Sequence, residues 1–196
     1  MDLSLEGKAR RGFTLIEMLV VITIIVTLMA FLFPAFRAVQ DQAKRTQAKN
    51  DLTQIVTAVN AFYTEYGKYP LATDDAKITE NANLLYVLRA VAAGANAVDA
   101  VNPRKIVFLS PPDVKDNSRP RSGLNTNGQY FDPWGSQYLV ALDGNYDDQI
   151  ANPYTGNAGS AQLRLGVIAW SLGKDGLTSA GDKKAATSDD DVISWQ

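Results

Sequence analysis

Residues 13–36 read FTLIEMLVVITIIVTLMAFLFPAF, and the fold turns on them. From Met18 to Phe36 there is no charged residue, and Leu, Val, Ile, Phe and Met dominate. At about 1.5 Å of helical rise per residue, such a run crosses most of a hydrocarbon layer about 30 Å thick. The spacing and composition therefore predict a helix that enters a membrane. Upstream, Met1 to Gly12 is polar and sets Lys8, Arg10 and Arg11 against Asp2 and Glu6. A secretory signal has a shorter apolar core, roughly 7 to 15 residues, followed by a small-x-small cleavage site. No such site follows Phe36. Arg37, Lys44, Arg45 and Lys49 flank the far end of the run, so charge counting leaves its orientation open.

Glu17 breaks the pattern of a plain anchor. An ionised carboxylate in lipid costs several kcal/mol unless it is paired, so a residue of this kind at the edge of an apolar run calls for a cation. The stretch Arg10-Arg11-Gly12-Phe13-Thr14-Leu15-Ile16-Glu17-Met18-Leu19-Val20 resembles the prepilin motif of type IV pilins and type II secretion pseudopilins. In that family a membrane peptidase cuts after the glycine and methylates the new amino terminus. The resemblance thus implies cleavage between Gly12 and Phe13 and N-methylation of Phe13. It divides the chain into a leader at 1–12, a transmembrane and polymerisation helix at 13–36, and a periplasmic or extracellular pilin-like head at 37–196. The amine of Phe13 on an incoming subunit can then pair with Glu17 of a subunit already in the filament, neutralising both charges in a low-dielectric setting. Two other readings stand beside this one. They are a signal anchor with an edge glutamate, and a twin-arginine export signal built on Arg10-Arg11-Gly12-Phe13, whose usual core is less hydrophobic.

Beyond the apolar run, Val39, Ala43, Leu52, Ile55, Val56, Val59, Phe62 and Tyr66 recur mostly at intervals of three or four, the signature of one helical face. The membrane helix is expected to continue into the head as an amphipathic half. Asp41, Lys44, Arg45, Lys49 and Asp51 fill other positions and read mainly as a solvated face. Pro34 withdraws a backbone hydrogen bond and crowds the preceding turn, so a kink or local melting is expected there. The family carries a proline in this part of the helix, and the resemblance implies a segment that extends when subunits pack, which makes Pro34 an assembly residue with Glu17. Gly67-Lys68-Tyr69-Pro70 ends the helix.

In the head, Asn83 to Ala93 reads as a short helix, with Asn81 or Asn83 as its cap and Gly94 as its stop. Pro103, Pro111, Pro112 and Pro120 make 102–128 a loop with room for one strand at Lys105–Leu109. Gln137–Leu142 and Leu163–Ser171 read as an antiparallel pair, with Tyr138, Val140, Leu142, Val167 and Ala169 in period two. The expected fold is α+β, a long N-terminal helix packed on a small antiparallel sheet.

This half also resembles a known family. Tyr130-Phe131-Asp132-Pro133-Trp134-Gly135, with Ser171-Leu172-Gly173-Lys174-Asp175-Gly176 and Asp189-Asp190-Asp191-Val192-Ile193-Ser194-Trp195, is similar to the major pseudopilin of type II secretion, the general secretion pathway protein G family. The terminal loop gathers Asp175, Asp182, Asp189, Asp190 and Asp191. Carboxylates brought together repel, and a hard cation with several oxygen ligands relieves them, which suits calcium. The resemblance points the same way and implies the carbonyl of Leu172 with Asp175 and Asp182 as ligands, and Asp189 and Asp191 as ligands or loop anchors. Ser179-Ala180 stands where the family has a glycine pair, and Lys183 and Lys184 oppose a cation, so closure by salt bridges stays open. Asp143-Gly144-Asn145-Tyr146-Asp147-Asp148 opens like an EF-hand loop but lacks the later glutamate, and reads as a solvated turn.

Composition excludes other classes. The net charge is −2, from 19 basic and 21 acidic residues, which offers no basic excess for nucleic acid. Cysteine and histidine are both absent. That removes disulfides, thiolate sites and His-dependent triads, and no nucleophile, base and orienter stand together as in an enzyme. The resemblance implies a structural subunit of a type II secretion pseudopilus in the bacterial inner membrane, a single-pass protein with its head in the periplasm. Its partners would be further copies in a helical filament, a prepilin peptidase, an inner-membrane assembly platform and minor pseudopilins. A type IV pilin and a monomeric membrane-anchored calcium-binding module are the alternatives.

Overall fold

The computed structural model describes residues 14–71, 75, 77–154, 158–177 and 190–196, apart from the side chains at 34 and 35. Helix α1 spans Leu15–Tyr66. The chain divides between Gln42 and Ala43 into an N-terminal unit and a head unit. In the N-terminal unit the apolar residues stay in the open, Leu15 at 84% exposure and Phe31 at 74%.

The head's portion of α1 supplies one wall of the core. Ala48, Leu52, Ile55, Ala58, Val59 and Phe62 are buried at helical spacing, whereas Val39 and Ala43, expected on the same face, are exposed. The helix ends as the sequence indicates. Gly67, at φ +67°, donates its N–H to the Tyr63 carbonyl at 2.8 Å, a left-handed cap that glycine enters without a Cβ penalty. The helical assignment runs unbroken through Pro34, so the local melting expected there is not seen. Proline withdraws a single amide donor, and the turns on either side keep the rest of the ladder.

A four-stranded antiparallel sheet faces the helix. It is built from β1 (Lys77–Ile78), β4 (Leu139–Leu142), β7 (Val167–Ser171) and β8 (Val192–Ile193), in the order β1-β4-β7-β8. Between them lie α2 (Ala82–Leu88), a 3₁₀ segment at Gly94–Asp99, and two small ribbons, β2 (Gly123–Leu124) with β3 (Tyr130–Phe131) and β5 (Ile150–Ala151) with β6 (Gln162–Leu163). Strands β4 and β7 pair as expected, Leu139 opposite Trp170 and Val140 opposite Ala169.

The period-two set lies in one core and the alternate residues of the same strands in a second. Tyr138, Val140, Leu142, Val167 and Ala169 join α1 and α2. The alternate residues Leu139, Ala141, Ile168 and Trp170 pack with Ile150, Tyr154, Ala158 and Ile193 on the other face. The central strands are therefore covered on both sides, by the helix layer and by the segment after β5.

Two local expectations are corrected. The second helix is Ala82–Leu88 and stops well before Gly94. Ala90, at φ +56°, donates to Val87 O and Val91 donates to Tyr86 O, a Schellman stop built on alanine where glycine is the usual signal. Asn81 precedes this helix but does not cap it with its side chain. Its amide instead donates to Tyr130 O at 2.9 Å and Tyr138 O at 3.0 Å and accepts from Tyr130 N, tying β3 to the residue that leads into β4. Residues 105–109 are not a strand. Asn102, fully buried, organises them by donating to Val87 O and Ile106 O and accepting from Ile106 N and the Tyr66 hydroxyl.

Candidate functional site

At the start of α1, Glu17 closes a capping box with Thr14. Its Oε2 accepts from the Thr14 N–H and from the Thr14 hydroxyl, both at 2.7 Å, and the Glu17 N–H points to Thr14 Oγ1 at 3.3 Å. These bonds satisfy donors that every helix start leaves open and fix the carboxylate at the N-terminal edge of the apolar run. Both bonds to the carboxylate use one oxygen. Gly12 and Phe13 lie outside the described residues. The helix is long and apolar enough to cross a membrane, by length and composition.

The second site is the acidic loop between β7 and β8. Carboxylate oxygens of Asp175, Asp190 and Asp191 lie within 4.8 Å of one another, Asp175 exposed, Asp190 half-buried and Asp191 buried. Asp190 accepts from the N–H groups of Lys174 and Asp175, and Asp191 from the Tyr154 hydroxyl. Gly173, at φ +64°, lets the two limbs close, since a Cβ there would lie 2.6 Å from the Asp190 carbonyl oxygen. Of the expected ligands, Asp175 and Asp191 come together. Asp182 and Asp189 fall outside the described residues, and the side chain of Leu172 packs on the second core. Asp190 joins them, although no local pattern favours it over its neighbours.

The base of this loop is anchored by Asp132, which sequence reasoning passed over. Fully buried, it accepts through Oδ1 from the N–H groups of Trp134, Gly135 and Ser136 at 2.7 to 2.9 Å, and through Oδ2 from the Ser171 hydroxyl. Ser171 Oγ in turn accepts from Gly173 N at 3.1 Å. Burial pushes the Asp132 carboxyl above its ordinary value although these donors pull the other way. The signal for it was present, since an aspartate ahead of Pro-Trp-Gly is the residue that folds a turn onto its own side chain.

Two further charges of α1 leave the solvated face to which they were assigned. Asp51 is 8% exposed and accepts from the Tyr138 hydroxyl at 2.7 Å, and burial raises its carboxyl. Lys49 donates to Ile193 O at 2.7 Å and to the Gln196 carbonyl, binding the end of β8 and the residues after it to the helix. The Asp143–Asp148 turn is solvated as expected at Asp147 and Asp148, but Asp143 is buried and accepts from the Asp147 and Asp148 N–H groups.

Residues 7–33 match the family described as the prokaryotic N-terminal methylation motif. The chain is 38% identical over 69 residues to the type IV major pilin protein PilA of Myxococcus xanthus, covering 35% of this chain and 31% of that protein. It is 34% identical over 93 residues to the fimbrial protein EcpC of Eikenella corrodens, covering 46% and 61%. It is 36% identical over 66 residues to the type II secretion system core protein G of Pseudomonas aeruginosa, covering 34% and 46%. The chain spans less than two thirds of the length of each of these curated relatives. No solved structure matches it.

Proposed function

We propose that this chain, type IV pilin-like by its methylation motif and its relatives, is a structural subunit of a type II secretion pseudopilus. A prepilin peptidase cuts it between Gly12 and Phe13 and methylates Phe13. It is held in the bacterial inner membrane with its head in the periplasm. An assembly platform and minor pseudopilins draw it into a helical filament that supports protein secretion. The observation that carries this reading is an apolar helical run left wholly exposed, with one carboxylate fixed at its leading edge by Thr14. Such a surface is satisfied by lipid before assembly and by identical helices after it, and the carboxylate supplies the partner for a new amino terminus.

The acidic terminal loop and the lack of a cysteine pair favour the pseudopilus, while similarity to PilA and EcpC keeps a type IV pilus as the second reading. Intact-mass and N-terminal analysis of protein from native membranes and sheared surface fractions tests it. The expected species begins with N-methylated Phe13, and Glu17→Ala is expected to be inserted and cut normally while filament yield collapses. An uncut chain, or full filament yield from the variant, would overturn the proposal.

Calcium is the cation proposed for the loop. Three converging carboxylates, two of them fixed by backbone and tyrosine donors, form the all-oxygen donor set that a hard ion takes. Asp175, Asp190 and Asp191 would hold it, with the Leu172 carbonyl, Asp182 and Asp189 as the remaining candidates. Bound there, it would neutralise the loop and close it on β7 and β8. Saturating calcium should raise the unfolding temperature of the full chain in detergent, the stabilisation being about 2.7 kcal/mol at a hundredfold excess over Kd. Asp175→Asn should abolish the effect. An unfolding temperature identical in calcium and in chelator would sink this assignment.

A further inference from the structure

Four cations converge on a groove in the head whose volume is about 620 Å³. Lys44 of α1 and Lys115, Arg119 and Arg121 of the loop before β2 line it, with Asp113 and Asp116 also on the lining. Lys115, Arg119 and Arg121 are exposed. Among the described residues none of the four takes part in an ion pair, whereas Arg104 pairs with Glu65 and Lys105 with Asp99 elsewhere on the head. With four cations against two carboxylates the lining keeps an excess of positive charge, which is complementary to an anionic guest.

The same head carries an anionic feature of suitable shape. The turn 143–148 presents Asp147 and Asp148 to solvent, with Tyr146 at 48% exposure between them and Asn145. Hydrogen bonds to its own residues and to Asp75 hold its shape. The buried Asp143 accepts from both aspartate N–H groups, Asn145 accepts from Asp147 N, and Asp75 accepts from Gly144 N and Asn145 Nδ2. Tyr146 stacks on Tyr69 at 5.7 Å and accepts from its N–H. A turn ordered in advance loses little conformational freedom on docking.

Position decides what the guest is. The groove abuts α1 at Lys44, and the acidic turn abuts the chain just past the end of α1, at Tyr69. The helical run from Lys44 to Tyr66 rises about 33 Å at about 1.5 Å per residue, so one molecule cannot bring its own turn to its own groove. Two different complementary patches at opposite ends of one head form a heterologous contact, which propagates as an open chain. We propose that the groove of Lys44, Lys115, Arg119 and Arg121 receives the Asp147-Asp148 turn of a second copy, as a contact between neighbouring head domains in the filament. The inference rests on the filament reading given above and names the surfaces that such a filament joins.

The chain has no cysteine, so introduced thiols report without background. The full chain is produced as two single variants in the same cells, Arg119→Cys and Asp147→Cys, and oxidised in membranes and sheared filaments. A disulfide-linked dimer is expected when both variants are present, and not from either one alone. In parallel, Lys115→Glu with Arg119→Glu should lower filament yield about tenfold, and Asp147→Lys with Asp148→Lys should do the same, because each sets like charges face to face. Combining all four reversals should restore the yield, and high salt should weaken the native contact. Circular dichroism of each variant keeps loss of folding apart from loss of contact. Normal wild-type filaments, with no cross-link from the cysteine variants together and no loss on reversal, would overturn this contact while leaving the filament reading intact. A wild-type chain that forms no filament would remove that reading, and the contact with it. A reversal effect that tracks the anionic-lipid content of the membrane, and is not rescued by the acidic-turn reversal, would assign the groove to lipid headgroups and overturn it.

Discussion

The two halves of α1 share one backbone conformation and have opposite requirements of their surroundings. From Leu15 to Phe36 the helix exposes Leu, Ile, Val and Phe side chains, with Phe31 at 74%, while from Ala48 to Phe62 six apolar side chains are at 2% exposure or less. Each half also carries a carboxylate. Glu17 is exposed and held by Thr14, whereas Asp51 is buried and held by the Tyr138 hydroxyl. Helical local structure thus says nothing of stability by itself. The second half is stabilised by the sheet that covers it, and the first is left to whatever medium or neighbour covers it.

The largest expected effect tests this difference in burial. Phe62→Ala should cost the head about 3 to 5 kcal/mol, because Phe62 is fully buried and its ring meets Tyr66 at 4.5 Å and Phe108 at 5.5 Å. Phe31→Ala should leave head stability within about 0.5 kcal/mol of the parent. Thermal unfolding of the full chain in detergent, followed by tryptophan fluorescence, separates the two. All three tryptophans, Trp134, Trp170 and Trp195, belong to the head. Equal losses from both substitutions would break the comparison.

A smaller effect sharpens it. Burial holds the Asp51 carboxyl above the ordinary aspartate value of 3.8, so its ionised form is disfavoured in the folded head. Its contribution to stability is therefore fully present below that ordinary value and is lost as pH rises through the raised folded value. Asp51→Asn keeps an acceptor for the Tyr138 hydroxyl and removes the titration. The variant should be relatively more stable than the parent at neutral pH than in acid. Unfolding temperatures measured across that range check it, and a difference from the parent that does not change with pH would show that Asp51 carries no such penalty.

The helical face, its glycine stop and the β4–β7 pair were legible because each rests on periodicity or on one local residue. Leu52, Ile55, Val59 and Phe62 recur at helical spacing, and Val140 and Ala169 alternate with neighbours that belong to the second core. The end of α2 was not legible, because Ala90 takes a left-handed conformation for which alanine has no preference. Asn81, which locally reads as a cap, is drawn instead into a bridge between Tyr130 and Tyr138. The acidic loop was legible as a cluster, with Asp175 and Asp191 among its members, but the choice of Asp190 was not, since a loop has no period to select one aspartate among three.

By itself the sequence determined a long apolar N-terminal helix with a prepilin-like motif and a glutamate at its edge, an amphipathic continuation, and a small α+β head without thiol or imidazole chemistry. These follow from composition and short-range pattern, which act through contacts a few residues apart. Only the tertiary structure decided that Asp132 fastens the loop base through Ser171, that Lys49 binds the last residues of the chain, and that Lys44 shares a groove with Arg119 and Arg121. Each of these joins groups tens of residues apart, at positions fixed by how the buried faces of helix and sheet exclude water rather than by anything their own neighbourhoods prefer.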